Sequence, residues 1–429
     1  MKLFQKLLAT NVILAFFTPI TAAAFDISLD EMNNYAPKKT STDKEFNTKT
    51  FANEIVSIKE SIANTDFKFN EIEVGSFSDT TTMGGQVHFQ IGAVDEGAAT
   101  EALTATYSYE IDLNTSFTGE DNLYVGIATG SDSNAVDFST DNSEAFNDAL
   151  TIKSMYYQFT LGDYDIALGP ILDNDDLLPT TTSKYSDSFF FGSQFALPAN
   201  YYVLDTTGAG VAISRTLDNG WNFSGSLIGT GADTNAGFLT NEGADVLTLS
   251  LGYDSENNYG GGIIWTDQDT ACGVISSFAA NICTQITSII GVEESMTNTS
   301  IGGYWNPNGG KNTISATTNI IDIQAQGLEI DVLADFQIAL DREMGDGVLS
   351  ASWKTFPFVR VPDLNGAVIK GDDLGSFVEL YYTYNVNDSV QIKPGVSFAL
   401  PNAKSATTDE LSFVLLDRTA VGLEASFKF

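Results

Sequence analysis

Leu103–Asn114 reads LTATYSYEIDLN, and apolar and polar residues alternate through all twelve positions. Because successive side chains of a strand point to opposite faces, this pattern predicts a β-strand with one apolar and one polar face. Strands of soluble proteins usually have about 5–6 residues, whereas a tilted strand needs about 9–11 residues to cross a bilayer. The polar face carries Glu110 and Asp112, which suits a wall that faces water. The stretch therefore predicts a transmembrane β-strand.

Composition narrows the class of protein. The chain has 429 residues and a formal net charge of −36, from 56 acidic and 20 basic residues. This length fits two soluble domains or one large barrel, and 43% hydrophobic residues is too many for a disordered acidic chain. Nucleic acid is excluded as a partner because phosphate contacts need basic patches. The acidic balance favours cations near the protein.

The first 24 residues have the pattern of a secretory signal peptide. Lys2 and Lys6 precede the apolar run 7–17, and three alanines at 22–24 offer a cleavage site. No later run is long and apolar enough to predict a transmembrane helix. A polar segment without a clear pattern follows at 25–50.

Residues 51–75 have the spacing of a coiled coil. Apolar positions recur at intervals of four and three, and Gly75 follows as a helix stop. Isoleucine at both seam positions favours three strands, so we predict a periplasmic helix that holds a homotrimer together. A single amphipathic helix lying on its own domain is the alternative. The seam residues are Phe51, Ile55, Ile58, Ile62, Thr65, Phe69 and Ile72.

From residue 80 to 429 the period of two persists, which predicts an all-β fold: a 16-stranded antiparallel transmembrane β-barrel. Short turns alternate with longer loops, as in outer-membrane barrels, and an even strand number places both barrel ends in the periplasm. The predicted strands are 82–92, 102–117, 121–130, 150–161, 163–170, 208–216, 220–230, 244–254, 258–266, 298–305, 311–322, 328–341, 346–356, 375–386, 389–400 and 414–429.

Several segments resemble the cyanobacterial outer-membrane porins, which belong with the OprB-type carbohydrate-selective porins and are often labelled iron-uptake porins. The resembling segments are DEMNNY at 30–35, EIEVGSFSDTTT at 71–82, NTSFTGEDNLYV at 114–125 and ASFKF at 425–429. The last one also resembles the terminal strand that barrel-assembly machinery reads. The resemblance implies a trimeric 16-stranded barrel in the outer membrane that passes small hydrophilic solutes and inorganic ions.

The chain departs from that family in one respect. Family members commonly carry an S-layer-homology domain before the coiled coil, and here only about forty residues separate Tyr35 from Gly75. That domain binds the cell wall, so attachment to peptidoglycan is doubtful.

The loop at 171–207 is the candidate constriction of the pore, because the corresponding loop of general porins folds into the barrel. Phe189–Phe191 are expected to anchor it to the wall, and a solvated external loop is the alternative. Its charged residues are Asp173, Asp175, Asp176, Lys184 and Asp187.

Strand parity also predicts a set of charged side chains on the lumen wall. Acidic groups outnumber basic ones, so we expect a preference for cations, although ion pairs that only stabilise the wall are an alternative reading. The predicted wall residues are Glu110, Asp112, Asp331, Asp335, Lys354, Glu379, Lys393 and Arg418.

The remaining candidate sites are few. Cys272 and Cys283 predict a disulfide in an exported chain, with two free thiols as the alternative. An outer-membrane hydrolase would need a base, and the only histidine, His88, is expected to be structural. No metal or cofactor site is predicted, and we expect no enzyme activity. A sugar-selective channel would need aromatic residues in the lumen, where parity places Tyr156 and Tyr381. A soluble secreted all-β adhesin is the alternative from another class.

Overall fold

The computed structural model describes thirteen ranges of the chain: 80–95, 103–131, 148–185, 206–232, 237–240, 245–255, 258–269, 294–307, 310–325, 329–330, 333–360, 368–401 and 418–429. All of them belong to one unit, Val74–Phe429. The predicted signal peptide, polar segment and coiled-coil seam lie outside the described residues, as do Cys272 and Cys283. Within the described ranges, no helix is long and apolar enough to span a membrane.

The described residues form seventeen strands. Their bounds are β1 Thr81–Asp95, β2 Thr104–Thr115, β3 Asp121–Gly130, β4 Thr151–Leu161, β5 Tyr164–Asp173, β6 Thr207–Thr216, β7 Trp221–Gly229, β8 Asp245–Asp254, β9 Tyr259–Asp269, β10 Glu294–Trp305, β11 Asn312–Ala325, β12 Glu329–Ile330, β13 Leu333–Met344, β14 Gly347–Arg360, β15 Val368–Asn387, β16 Val390–Pro401 and β17 Arg418–Lys428.

Sixteen of these strands close into an antiparallel barrel, which confirms the predicted fold. Each barrel strand pairs with its neighbours in the sequence, and β1 pairs with β17 to complete the ring. The exception is the short β12, which pairs in parallel with β15. The strand predicted at 328–341 is therefore two pieces, and the barrel strand begins at Leu333.

The wall has an apolar outer face and a polar inner face, the reverse of a soluble protein. In β1, Phe89 is 54% exposed and Ile91 41%, while the neighbouring His88 and Gln90 are buried. In β13, Phe336 and Ile338 are likewise exposed. Such a continuous apolar exterior is too large for a protein surrounded by water and fits a lipid environment.

Aromatic side chains gather on the outer face at the short-turn ends of the strands. Tyr164 of β5 packs edge-on against Phe223 of β7, with ring centroids 6.3 Å apart. Trp221 and Tyr253 pack in the same way at 5.5 Å, and Trp305 is 57% exposed. A girdle of this kind is typical of the interface between membrane and water, so it marks one edge of the transmembrane band.

The last residue, Phe429, binds to β1 where the first and last strands meet. The Phe429 nitrogen donates to the Gly85 carbonyl at 3.1 Å, and the Gly85 nitrogen donates to the Phe429 carbonyl at 3.0 Å. The Phe429 ring stacks on Tyr109, with centroids 5.9 Å apart. A Cβ on Gly85 would meet the Glu110 carbonyl oxygen and would lie 2.7 Å from that ring, so a side chain there would collide with both.

Candidate functional site

The segment that follows β5 lies inside the barrel. We call Asn174–Tyr185 the lumen segment. It begins with a tight turn in which the Asp173 nitrogen donates to Asp176 Oδ2 at 2.8 Å and the Leu178 nitrogen donates to the Asp175 carbonyl at 2.9 Å. Two of the candidate constriction acids, Asp175 and Asp176, thus shape the start of the segment.

The first half of the lumen segment is held by polar side chains of β7 and β8. Ser226 Oγ donates to the Asn174 carbonyl at 2.8 Å. Asn174 Nδ2 donates to Thr248 Oγ1 at 3.1 Å. Farther along, Thr180 Oγ1 donates to Asn222 Oδ1 at 2.7 Å. The inner hydroxyls and amides of these strands therefore bind the first half of the segment to the wall.

The second half continues along β10 and β11. Thr182 Oγ1 lies 3.3 Å from Ser300 Oγ, and its carbonyl accepts from Thr317 Oγ1 at 2.8 Å. The Lys184 nitrogen donates to Ser315 Oγ at 3.0 Å. The segment thus follows the wall from β7 to β11.

The segment ends on the far wall. Tyr185 donates its hydroxyl to Glu379 Oε1 on β15 at 2.7 Å, and both side chains are almost fully buried. Its ring meets Tyr381 edge-on, with centroids 6.1 Å apart. Burial of the ring, and then the nearby carboxylate, raise the pKa of the Tyr185 hydroxyl well above its ordinary value, so the hydroxyl remains a donor.

The two ends of the lumen segment are attached to nearly opposite sides of the barrel. In the order of the barrel strands, β5 and β15 are separated by eight strands in one direction (β6 to β11, β13 and β14) and by six in the other (β16, β17 and β1 to β4). The lumen segment, which is tied to both strands, therefore runs along the inner wall and occupies part of the lumen.

The candidate acids of the loop meet the acids of the wall at the start of the lumen segment. Asp173 is buried and accepts from the Thr207 hydroxyl. Asp176 is hydrogen-bonded to Tyr156 of β4. We call the group Glu110, Asp112, Asp173, Asp175 and Asp176 the acidic root.

Tyrosines link the members of the acidic root. Tyr124 donates its hydroxyl to Asp112 Oδ1 at 2.6 Å. Its ring packs 5.2 Å from that of Tyr156, centroid to centroid. A phenol stabilises a carboxylate by a hydrogen bond but leaves its charge in place. Asp112 and Asp176 are thus bound by neutral hydroxyls.

Glu110 of the acidic root also has a cationic partner that the sequence did not reveal. Lys153 Nζ lies 3.6 Å from Glu110 Oε1. A register shift between β3 and β4 makes Lys153 an extra residue, with Ile152 and Ser154 paired to successive residues of β3. Simple alternation breaks at such a bulge, so strand parity does not predict that Lys153 lies beside Glu110.

Lys184 lies away from the acidic root. Its Nζ is 3.4 Å from Asp254 Oδ2 at the short-turn end of β8 and 4.0 Å from the centre of the Tyr304 ring. Tyr304 donates its hydroxyl to the other oxygen of Asp254 at 2.6 Å. A cavity of about 510 Å³ lies beside this cluster, lined in part by Pro179 and Asp254.

Three of the other predicted wall charges, Asp335, Lys354 and Lys393, form ion pairs. Lys354 Nζ lies 3.2 Å from Asp335 Oδ2, with both side chains almost fully buried. Lys393 Nζ lies 3.4 Å from Glu424 Oε1. We call Asp335, Lys354, Lys393 and Glu424 the paired wall. Glu424 is not among the predicted wall residues, although its position next to the apolar Leu423 in an alternating strand places it on the inner face.

His88 belongs to the surroundings of the paired wall. Its Nδ1 lies 2.9 Å from Ser426 Oγ and 3.7 Å from Glu424 Oε1. Ser426 Oγ in turn donates to Glu424 Oε1 at 3.1 Å, and Gln90 Nε2 donates to its other oxygen at 3.4 Å. The contacts join β1 to β17, so His88 helps to close the barrel.

The rest of the predicted site falls at or beyond the limits of the described residues. Asp187, Asp331 and Phe189–Phe191 lie outside them. Arg418 begins β17 at the register position opposite the inner-face residue Ala399.

Solved structures with the same architecture are outer-membrane barrels. They include OmpT, an outer-membrane protein of Vibrio cholerae, with its loop L8 deleted, and an anion-selective porin from Comamonas acidovorans. Each is 11% identical with a TM-score of 0.54, and the match covers 82% of this chain and 99% of that chain. The fold is that of an outer-membrane porin. In vitro-folded OmpT, described as a trimer, matches with a TM-score of 0.51 at 10% identity over the same shares of the two chains.

At such low identity these likenesses show the fold alone. No protein-family model and no curated protein matches the sequence. The resemblance to the cyanobacterial OprB-type porins therefore remains an expectation.

Proposed function

We propose that this protein is an outer-membrane porin that lets small hydrophilic solutes and inorganic ions diffuse passively, with a preference for cations. The observation that carries the proposal is the lumen segment, which ties β5 to the far wall at Tyr185 and Glu379 and holds an acidic root at its start. A narrow passage is screened less than an open surface, so carboxylates there act strongly on passing ions.

The direction of selectivity follows from how the charges are compensated. In the acidic root, Asp112 and Asp176 are bound by tyrosine hydroxyls, which add no positive charge, and Lys153 lies 3.6 Å from Glu110. In the paired wall, lysines neutralise Asp335 and Glu424. The passage should therefore be more attractive to cations than to anions, in contrast to the porin of Comamonas acidovorans, whose name describes it as anion-selective.

The test is a planar-bilayer recording of the purified protein across a potassium chloride gradient. We expect discrete channels and a reversal potential of the sign that shows potassium passing better than chloride. Absence of channels from folded protein would refute the porin assignment, and a chloride preference would refute the cation preference alone.

A sugar-selective channel is the second candidate, and it would need aromatic rings that a sugar can reach. The inner face carries Tyr124, Tyr156, Tyr185, Tyr304 and Tyr381, but of these only Tyr124 is partly exposed. Aromatic faces stack on sugar rings, so a sugar-selective channel should pass a sugar faster than a non-sugar polyol of the same size. Liposome swelling with such pairs of solutes separates the two candidates. Swelling that depends only on solute size excludes sugar selectivity.

We propose the same trimeric assembly that the sequence predicted, with the short turns, the helix at 51–75 and the C-terminus in the periplasm. The trimer form of OmpT, which shares the fold, supports it. Extraction that requires detergent distinguishes the barrel from a secreted adhesin. Light scattering in mild detergent should give a trimer, weakened by Ile58→Asp with Ile62→Asp.

A further inference from the structure

Three glycines lie side by side on the inner wall under the lumen segment. Gly252 of β8 pairs with Gly262 of β9, and Gly262 pairs with Gly302 of β10. Because the pairs are in register, the three positions form a continuous strip without side chains across three strands. We call this strip the glycine trough.

The lumen segment fills the glycine trough. A Cβ on Gly252 would lie 2.8 Å from Thr180 Cγ2, and a Cβ on Gly262 would meet the same methyl group. A Cβ on Gly302 would meet the carbonyl oxygen of Thr182. Real Cβ atoms do not approach heavy atoms so closely, so the segment can occupy its place only because these positions lack side chains.

The segment is also bound on both sides of the trough. Thr180 donates to Asn222 on β7 at 2.7 Å, and Thr182 accepts from Thr317 on β11 at 2.8 Å. The hydrogen bonds fix the position of the segment along the wall, and the trough fixes how deeply it sits in the wall. That depth determines how much of the lumen remains open.

We propose that the glycine trough sets the width of the passage by recessing Thr180 and Thr182 into the wall of β8–β10. The proposal rests on the porin function proposed above. The three glycines are positioning residues: they act through the lumen segment and contact no solute.

Gly252 is the position where a substitution should move the lumen segment without a collision with the backbone of a neighbouring barrel strand. A Cβ on Gly262 would also lie 2.8 Å from the Leu251 carbonyl oxygen, and one on Gly302 would lie 2.7 Å from that of Ala316. Both oxygens belong to the wall. At Gly252 the near neighbours are side-chain atoms alone, those of Thr180 and Asn222.

The experiment measures single-channel conductance in potassium chloride for Gly252→Ala. The added methyl group should push the segment toward the barrel axis and lower the conductance by about 1.2-fold, because conductance follows the open width. Adding Thr180→Ser removes Thr180 Cγ2, one of the two atoms at 2.8 Å, and keeps the hydroxyl. Because the contact with Asn222 Oδ1 remains, this second change should recover part of the lost conductance. The matched control is Gly225→Ala, where the atom nearest to the new Cβ would be Leu249 Cδ2, 3.2 Å away on the outer face.

A second variant keeps the test decisive if Gly252→Ala does not fold. Thr180→Leu enlarges the residue of the lumen segment that contacts Gly252, and it leaves the barrel strands unchanged. It should likewise lower the conductance. Folding of each variant is checked by the shift in electrophoretic mobility between heated and unheated samples. A wild-type protein without channels refutes the porin function. The role of the trough is overturned if a folded Gly252→Ala or Thr180→Leu variant conducts as well as the wild-type channel or better. It is also overturned if adding Thr180→Ser recovers none of the conductance lost in Gly252→Ala.

Discussion

The acidic root and the paired wall both place carboxylates inside the barrel, but their partners differ in kind. Asp112 and Asp176 of the root are bound by the hydroxyls of Tyr124 and Tyr156. In the paired wall, Lys354 compensates Asp335 at 3.2 Å. A phenol holds a carboxylate without cancelling its charge, whereas an ammonium group cancels it. We therefore propose that carboxylates of this barrel serve ion selectivity in the acidic root and stability in the paired wall.

The largest effect on stability is expected at the buried pair of the paired wall. Lys354→Met leaves the carboxylate of Asp335 buried without its ammonium partner, which should lower the free energy of unfolding by about 3 kcal/mol. Urea unfolding, followed by tryptophan fluorescence, measures the loss.

The control for this change is Lys354→Met combined with Asp335→Asn, which removes both charges. The new amide would keep an oxygen for the Asn319 side chain, whose Nδ2 donates to Asp335 at 2.7 Å. We expect the double variant to recover most of the lost stability. If the single variant is as stable as the wild type, the pair does not act as a buried ion pair.

A smaller loss is expected at Glu424. Glu424→Gln keeps one acceptor oxygen for the two donors Ser426 Oγ and Gln90 Nε2, and it removes the charge opposite Lys393, 3.4 Å away. We expect the free energy of unfolding to fall by about 1 kcal/mol, because the lysine is partly exposed and retains some hydration. The measurement is the midpoint of urea unfolding, and Lys393→Gln added to Glu424→Gln is the control. An unchanged midpoint would mean that solvent screens this pair fully.

The smallest effect on stability is expected in the acidic root. Tyr124→Phe removes the donor to Asp112 and should cost about 1 kcal/mol or less, since water can replace the phenol in the lumen. The reversal potential should stay the same, because the substitution changes no charge. Both quantities are compared with Tyr157→Phe, which removes a similar 2.6 Å bond to Asp121 near the short-turn edge. A shift in ion preference with Tyr124→Phe alone would show that the tyrosine itself contributes to selectivity.

The fold could be predicted from the sequence because its signal is local. A period of two fixes both the strand and the face of each side chain, so alternation alone places Asp335 and Glu379 on the inner face. The short β12 could not be predicted, because its pairing with β15 does not alter the alternation of apolar and polar residues.

The site depends on register and on distant contacts, which alternation does not contain. Tyr185 and Glu379 are 194 residues apart in the sequence, and nothing in either neighbourhood points to the other. The glycine trough exists only once β8, β9 and β10 are aligned residue by residue. Lys153 faces Glu110 because of a bulge that shifts the parity of its strand.

The central claim is that ion preference resides in the acidic root and not in the paired wall. The most direct test compares reversal potentials of two variants in the same potassium chloride gradient. One variant carries Asp173→Asn, Asp175→Asn and Asp176→Asn, and the other carries Asp335→Asn with Lys354→Met. Asparagine keeps an acceptor for the Thr207 hydroxyl and the Asp173 nitrogen, so the lumen segment should retain its fold. We predict that the root variant loses most of the cation preference while the wall variant keeps the wild-type value. A root variant as selective as the wild type, or a wall variant that loses its preference, would contradict the account.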